Sequence, residues 1–159
     1  MMSYNDRFGF WFNPTFFIDA RLYEIKLNSN SLKNQEAKLS ISLSNTFTFM
    51  QQELIDRANL GEGALDFKVY ETELIFITDI NTFKFSNIIN NKKIFSVFTE
   101  LGFDSSKPIR SQEPNPLPDR KELDDIIFDA IGLTEEERKE VYWATAELVQ
   151  NRLNKAKSV

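Results

Sequence analysis

The stretch DRANLGEGALDFKVYETELIFIT, residues 56–78, decides how the chain is read. Gly61 and Gly63 stand one residue apart and stop any helix that precedes them, because glycine pays the largest backbone entropy in a helix. The aromatic and β-branched run that follows, residues 66–78, predicts a strand with a kink near Glu71. A tight glycine turn between the two can expose backbone N–H groups, which favour anions, and Arg57 and Lys68 flank it. On chemistry alone this is a helix-to-strand connection. Gly-x-Gly without a third glycine opening a helix is not a dinucleotide fingerprint.

Upstream, Leu39, Leu43, Phe47, Met50 and Leu54 recur at steps of four, four, three and four, one apolar stripe on a helix over residues 35–57. Asn34 is its candidate N-cap. Before it, residues 8–27 (FGFWFNPTFFIDARLYEIKL) predict two strands with Asn13-Pro14 as a turn or bulge, and residues 28–34 a polar loop. Downstream, residues 83–103 predict a short strand and then a helix ending at Gly102. Residues 104–118 hold four of the five prolines and read as an extended linker. Residues 119–131 predict a helix with Asp119 as N-cap and Gly132 after its end. Thr134 and Glu137 form a capping box for a second helix running to about Lys157. On that helix Tyr142, Ala146, Val149, Leu153 and Ala156 make a stripe that packs on Leu123, Ile126, Ile127 and Ala130. The expected fold is therefore α+β. A small mixed β-sheet with a packed helix (1–103) leads into a Pro-rich linker (104–118) and a C-terminal antiparallel helical pair (119–159).

The bulk numbers narrow the function. A chain of 159 residues, 42% hydrophobic with 15 Phe, can bury roughly 70% of its unfolded surface in a real core. It has no Cys and no His, which removes thiolate metal sites, the commonest general base and every Ser-His or Cys-His pair. Catalysis by this chain alone is not expected. The net charge of −5 is spread over both parts, −2 for residues 1–118 and −3 for 119–159, so any nucleic-acid contact must come from a local patch. No apolar run approaches 18 residues and the first residues do not read as a signal peptide, so a cytoplasmic protein without membrane contact is expected.

Beyond physics, the wording DRANLGEGALDFKVYE closely resembles a segment near the C-terminus of a family of N-6 adenine DNA methyltransferases, which includes fused restriction–modification enzymes and type I-like modification proteins. LSISLSNTFTFMQQELIDRA is similar to the family helix before it, and DRKELDDIIFDAIGLTEEERKEVYWATAELVQNRLNKAK to the helical pair that ends many members. The resemblance covers residues 8–80 and 119–157 and leaves 83–118 unmatched. Asn13-Pro14-Thr15-Phe16 is one residue away from the family's catalytic Asn-Pro-Pro-aromatic loop, whose Asn binds the target amine and whose aromatic stacks on the flipped adenine. Only twelve residues precede Asn13 and Thr15 replaces the second proline, so this motif is read as a decoy in the strand region that opens the target-recognition domain.

The resemblance implies a DNA target-recognition fragment that lacks the catalytic domain. Its partners are then double-stranded DNA and the catalytic methyltransferase domain or subunit. It holds no cofactor itself; S-adenosylmethionine belongs to the absent catalytic domain. By chemistry the candidate DNA-binding residues are Arg57, Asn59, Gly61, Gly63, Lys68, Lys92 and Lys93. The alternative is a protein–protein docking module of a multi-subunit modification complex. Trp143 is its candidate interface residue, because it points about 100° away from the buried stripe of its helix.

Overall fold

The computed structural model describes residues 6–7, 25, 35–55, 57–58, 63, 65–66, 68–79 and 95–158. The strands expected over 8–27, and the short one after residue 83, lie outside these residues. Within them the α+β expectation fails: helix makes up 65% of the interpretable chain. The one described ladder joins β1 (Arg57–Ala58) to β2 (Leu65–Asp66), antiparallel and two residues a side. That is too short to bury a sheet face, and the core is built by helices.

The expected single helix over 35–57 is two, α1 (Glu36–Leu43) and α2 (Thr46–Ile55). The break has a local cause. Ser42 Oγ donates to the Leu39 carbonyl at 2.9 Å and Ser44 Oγ to the Ser40 carbonyl at 2.8 Å. The Asn45 amide oxygen then accepts from Thr48 N–H at 2.9 Å, capping a new helix. Short polar side chains that bond the nearby backbone compete with helix continuation, and three of them, Ser42, Ser44 and Asn45, flank or follow Leu43 here. The break also resets the phase. Leu39 and Leu43 are buried as expected, but Phe49 rather than Leu54 enters the core, and Leu54 is left 64% exposed.

The strand expected over 66–78 ends at Asp66. Lys68 instead starts a single helical turn, α3 (Val69–Thr72), whose third residue Glu71 accepts from the Lys68 N–H at 3.2 Å. The Lys-Val-Tyr-Glu spacing satisfies a helix start locally, while a longer strand has no partner among the described residues. Past α3 the Gln51 side chain takes the place of a strand: its amide accepts from Phe76 N–H at 2.8 Å and donates to the Phe76 carbonyl at 3.1 Å.

The second half follows its punctuation closely. In α4 (Val97–Leu101) Ser96 accepts from Thr99 N–H, and Gly102 closes it at φ 76°. Then come a 3-10 turn (Ile109–Ser111), α5 (Pro118–Ile131) and α6 (Glu135–Lys157). Pro118 occupies the first helical position of α5, which makes Leu117 the N-cap; the expected cap Asp119 is the second helical residue and accepts from Arg120 N–H at 2.9 Å. Gly132 ends α5 at φ 75°. Thr134 and Glu137 form the expected capping box, and the two Thr134 donors hold the Glu137 carboxyl below its usual range.

The helical pair is corrected in its partners. α5 and α6 meet near their junction, where the Phe128 and Tyr142 rings stand edge to face at 5.6 Å and Arg138 reaches Asp129. Along its length, however, α6 packs chiefly against α2. Ala130 is exposed, and Asp124 and Phe128 are buried in its place. Nor is the Pro-rich segment a free linker. Asn115 N–H and Leu117 N–H donate to the Leu101 and Glu100 carbonyls at 3.0 and 2.9 Å, satisfying the end of α4. Ile109 is only 2% exposed, in a core shared with Phe49, Val97, Phe98, Leu101, Phe103, Phe128, Val141, Tyr142, Ala146 and Val149.

Candidate nucleic-acid interface

The β1–β2 ladder carries the glycine connection that the sequence singled out. Arg57 pairs with Asp66 and Ala58 with Leu65, so the backbone doubles back directly after α2. Gly63 lies within the connection, buried, at φ 68°. A Cβ there would stand 2.9 Å from Ala156 Cβ and 3.5 Å from Leu153 Cδ2. Glycine is needed twice over, for the left-handed backbone and for the close approach to α6.

The same contact is locked by charge. Arg152 of α6 donates from Nε and Nη2 to the two Glu53 carboxylate oxygens at 2.9 and 2.7 Å, and from Nη1 to the Gly63 carbonyl. The side chains of the pair are 6% and 1% exposed. A planar guanidinium with five donors suits this task of binding a carboxylate with one edge and a backbone oxygen with another. The glycine connection is therefore fastened at once to α2 and α6. Lys68 emerges two residues beyond Asp66 with an exposed side chain. After it the surface turns apolar: Val69, Tyr70, Leu74 and Ile77 are about half exposed and Phe76 is 80% exposed.

No family model, curated protein or solved structure matches the chain. What the site does has to be argued from its own geometry.

Of the candidate DNA-binding residues, the structure places three in one neighbourhood. Arg57 is in β1 by its backbone, Gly63 is packed against α6, and Lys68 is exposed beside the ladder. Asn59, Gly61, Lys92 and Lys93 lie outside the described residues. Gly63 is buried against α6 and sets the hairpin. Glu53 and Arg152, which fasten the hairpin, were not singled out by the sequence reading. Their signal was available: Arg152 falls next to Leu153 and three residues after Val149, a charge on the apolar stripe. Among the described residues no cluster of three or more acidic groups is arranged for a metal, and no helix is long and apolar enough to cross a membrane.

Trp143 is half-buried and occupied within the chain. Its indole N–H donates to the Gln112 carbonyl at 2.7 Å, and the Arg110 guanidinium lies 5.9 Å from the ring centroid. Arg110 in turn binds Glu140 and Glu147, which hold its pKa above the ordinary value. The Pro-rich segment is the surface on which this Trp rests, helped by Gln150, whose amide donates to the Ser105 and Lys107 carbonyls at 3.0 Å each. Trp143→Ala is expected to cost the isolated chain about 2–3 kcal/mol, from lost packing and an orphaned carbonyl. Urea denaturation reads this directly. A change below about 0.5 kcal/mol, the range of an ordinary surface substitution, would return Trp143 to the role of an external contact.

Proposed function

We propose that the chain is a DNA target-recognition fragment of an N-6 adenine DNA methyltransferase, acting in a restriction–modification or phage-defence system. On this reading it has no catalytic activity and binds no S-adenosylmethionine; both belong to a catalytic domain or subunit with which it works. Support comes from the family-like wording of residues 56–71. The observation that carries it in the structure is that this segment is a hairpin base clamped to two helices through Gly63, Glu53 and Arg152. Recognition demands side chains held in place by a rigid scaffold, and a buried bidentate clamp behind a short hairpin provides one. Arg57 and Lys68 are the cations nearest that hairpin in sequence.

The test is duplex binding by fluorescence anisotropy across a salt series. An acidic chain with few phosphate contacts is expected to bind non-specific duplex with Kd of order 10⁻⁴ to 10⁻⁶ M at physiological salt. Arg57→Ala with Lys68→Ala is expected to weaken binding and to flatten the slope of log K against log salt by up to about 2, one released counterion for each lost contact. An unchanged slope moves the contact surface away from the hairpin.

The second reading, a docking module in a modification complex, draws on the exposed apolar run at Val69, Tyr70, Leu74, Phe76 and Ile77 rather than on Trp143. Replacing Phe76 with serine separates the two. It leaves phosphate contacts intact and lowers association with the catalytic portion only if that run is the contact.

A further inference from the structure

The junction of α1, α2, α4 and α5 buries three charged side chains. Arg120, Glu100 and Asp124 are 6%, 6% and 0% exposed. Arg120 is committed elsewhere: Nε donates to Glu100 Oε2 at 2.8 Å, Nη1 donates to the Ser44 carbonyl, and the guanidinium lies 5.2 Å from the Phe49 ring centroid. It comes no nearer than 3.9 Å to Asp124. Asp124 instead holds the first residue of α2. Thr46 N–H donates to Oδ1 at 2.7 Å, and Thr46 Oγ1 lies 2.6 Å from Oδ2, a distance that fits a hydroxyl–carboxyl bond in either direction.

Among the described residues one guanidinium faces two buried carboxyl groups, and a buried anion lacking a close cation is costly enough that a group takes up a proton instead. Asp124 is the less compensated of the two. The groups facing it are Arg120 and Asp125 on its own helix, Glu100 of α4 behind Arg120, Tyr142 of α6, and from α2 the Thr46 donors with the helix N-terminus. Arg120, the Thr46 donors at the start of α2 and the Tyr142 hydroxyl favour the anion. Burial is the largest influence and raises the Asp124 carboxyl above its ordinary range, against Arg120, the two Thr46 bonds and the Tyr142 hydroxyl. Burial, together with the Asp124 charge, also raises Tyr142.

We propose that Asp124 is buried as the neutral acid, donating to Thr46 Oγ1 while accepting from Thr46 N–H, and that its ionisation makes the α2–α5 joint sensitive to rising pH. The sign follows from linkage. An acid that is harder to ionise when folded stabilises most fully below its unfolded value, about 3.9, and that stability is lost as pH rises through the higher folded value. Glu137 and Asp104 act in the opposite sense, because both are lowered on folding, Asp104 to about 2 by the Ser106 hydroxyl and amide and by Lys107. They lose stability only as pH falls. Among the described carboxyl groups, the declining limb on the alkaline side therefore belongs to Asp124.

Two measurements test this. The first is the 13Cγ shift of Asp124 followed by NMR from pH 3 to 9 in the wild-type chain. A midpoint above the ordinary aspartate range supports the proposal; one at or below that range overturns it. The second is the unfolding midpoint of Asp124→Asn over the same pH series. Asparagine can keep both Thr46 bonds without a charge, so its midpoint should be flat where the wild type declines and should equal or exceed the wild type at the alkaline end. A persisting decline, or a loss at every pH as large as that of Asp124→Ala, would mean that Asp124 acts as an anionic cap.

Discussion

Gly102→Ala is expected to lower stability by about 3–5 kcal/mol, while the same change at Gly132 costs about 1–2 kcal/mol. Both glycines end a helix in the left-handed region, at φ 76° and 75°. An added Cβ pays for that conformation equally at the two sites. Their surroundings differ. Nothing stands within 4 Å of a Cβ at Gly132, whereas at Gly102 it would meet the Asn115 backbone, 2.6 Å from the carbonyl carbon. Backbone cannot rotate away as a side chain can. Either α4 or the Pro-rich segment must move, and the Asn115 N–H bond to the Leu101 carbonyl goes with it. Since whole-domain stability is about 5–15 kcal/mol, Gly102→Ala should leave a marginal fold. Paired urea titrations of the two variants check the difference. Equal losses would mean that the Pro-rich segment does not pack on α4.

The Glu53–Arg152 pair should show a comparable loss with an informative rescue. Glu53→Ala removes the carboxylate that faces a buried guanidinium, and an uncompensated buried charge typically costs about 3–5 kcal/mol. Arg152→Ala leaves the opposite charge unpaired and should cost a similar amount. Replacing both by apolar residues, Glu53→Leu with Arg152→Met, is expected to recover most of the stability, as buried pairs often exchange for apolar packing without loss. What the double variant cannot recover is the hold on Gly63. Hydrogen exchange at the β1–β2 amides should therefore quicken even where global stability is regained, and duplex binding should fall with it if the hairpin reads DNA. Unchanged exchange would reduce the pair to core filling.

Punctuation was legible in the sequence. Gly102, Gly132 and Thr134 with Glu137 act through bonds to residues within one turn, so their effect does not depend on what the rest of the chain does. For the same reason α4 and α5 end where the glycines place them and α6 starts at its capping box. The long strand over 66–78 was misread because its alternation describes only how the segment would look if a partner strand were present; a capping interaction three residues long was decided locally and won. The α1–α2 break was visible in the Ser-Leu-Ser-Asn-Thr run but was outvoted by the apolar spacing around it.

Of the site, the sequence could point to the glycine connection and its flanking cations, because backbone requirements and charge types are written in single residues. It could not say that Gly63 faces α6, that Trp143 rests on the Pro-rich segment, or that Arg152 reaches across to Glu53. Those pairings join residues 31 to 99 positions apart. Periodicity assigns a residue to a face, but only tertiary packing decides what the face meets. Arg120, Asp124 and Arg152 show the limit most directly. Each is an ionisable side chain set on an apolar stripe, which the sequence displays, and each finds its hydrogen-bond partners on a distant element.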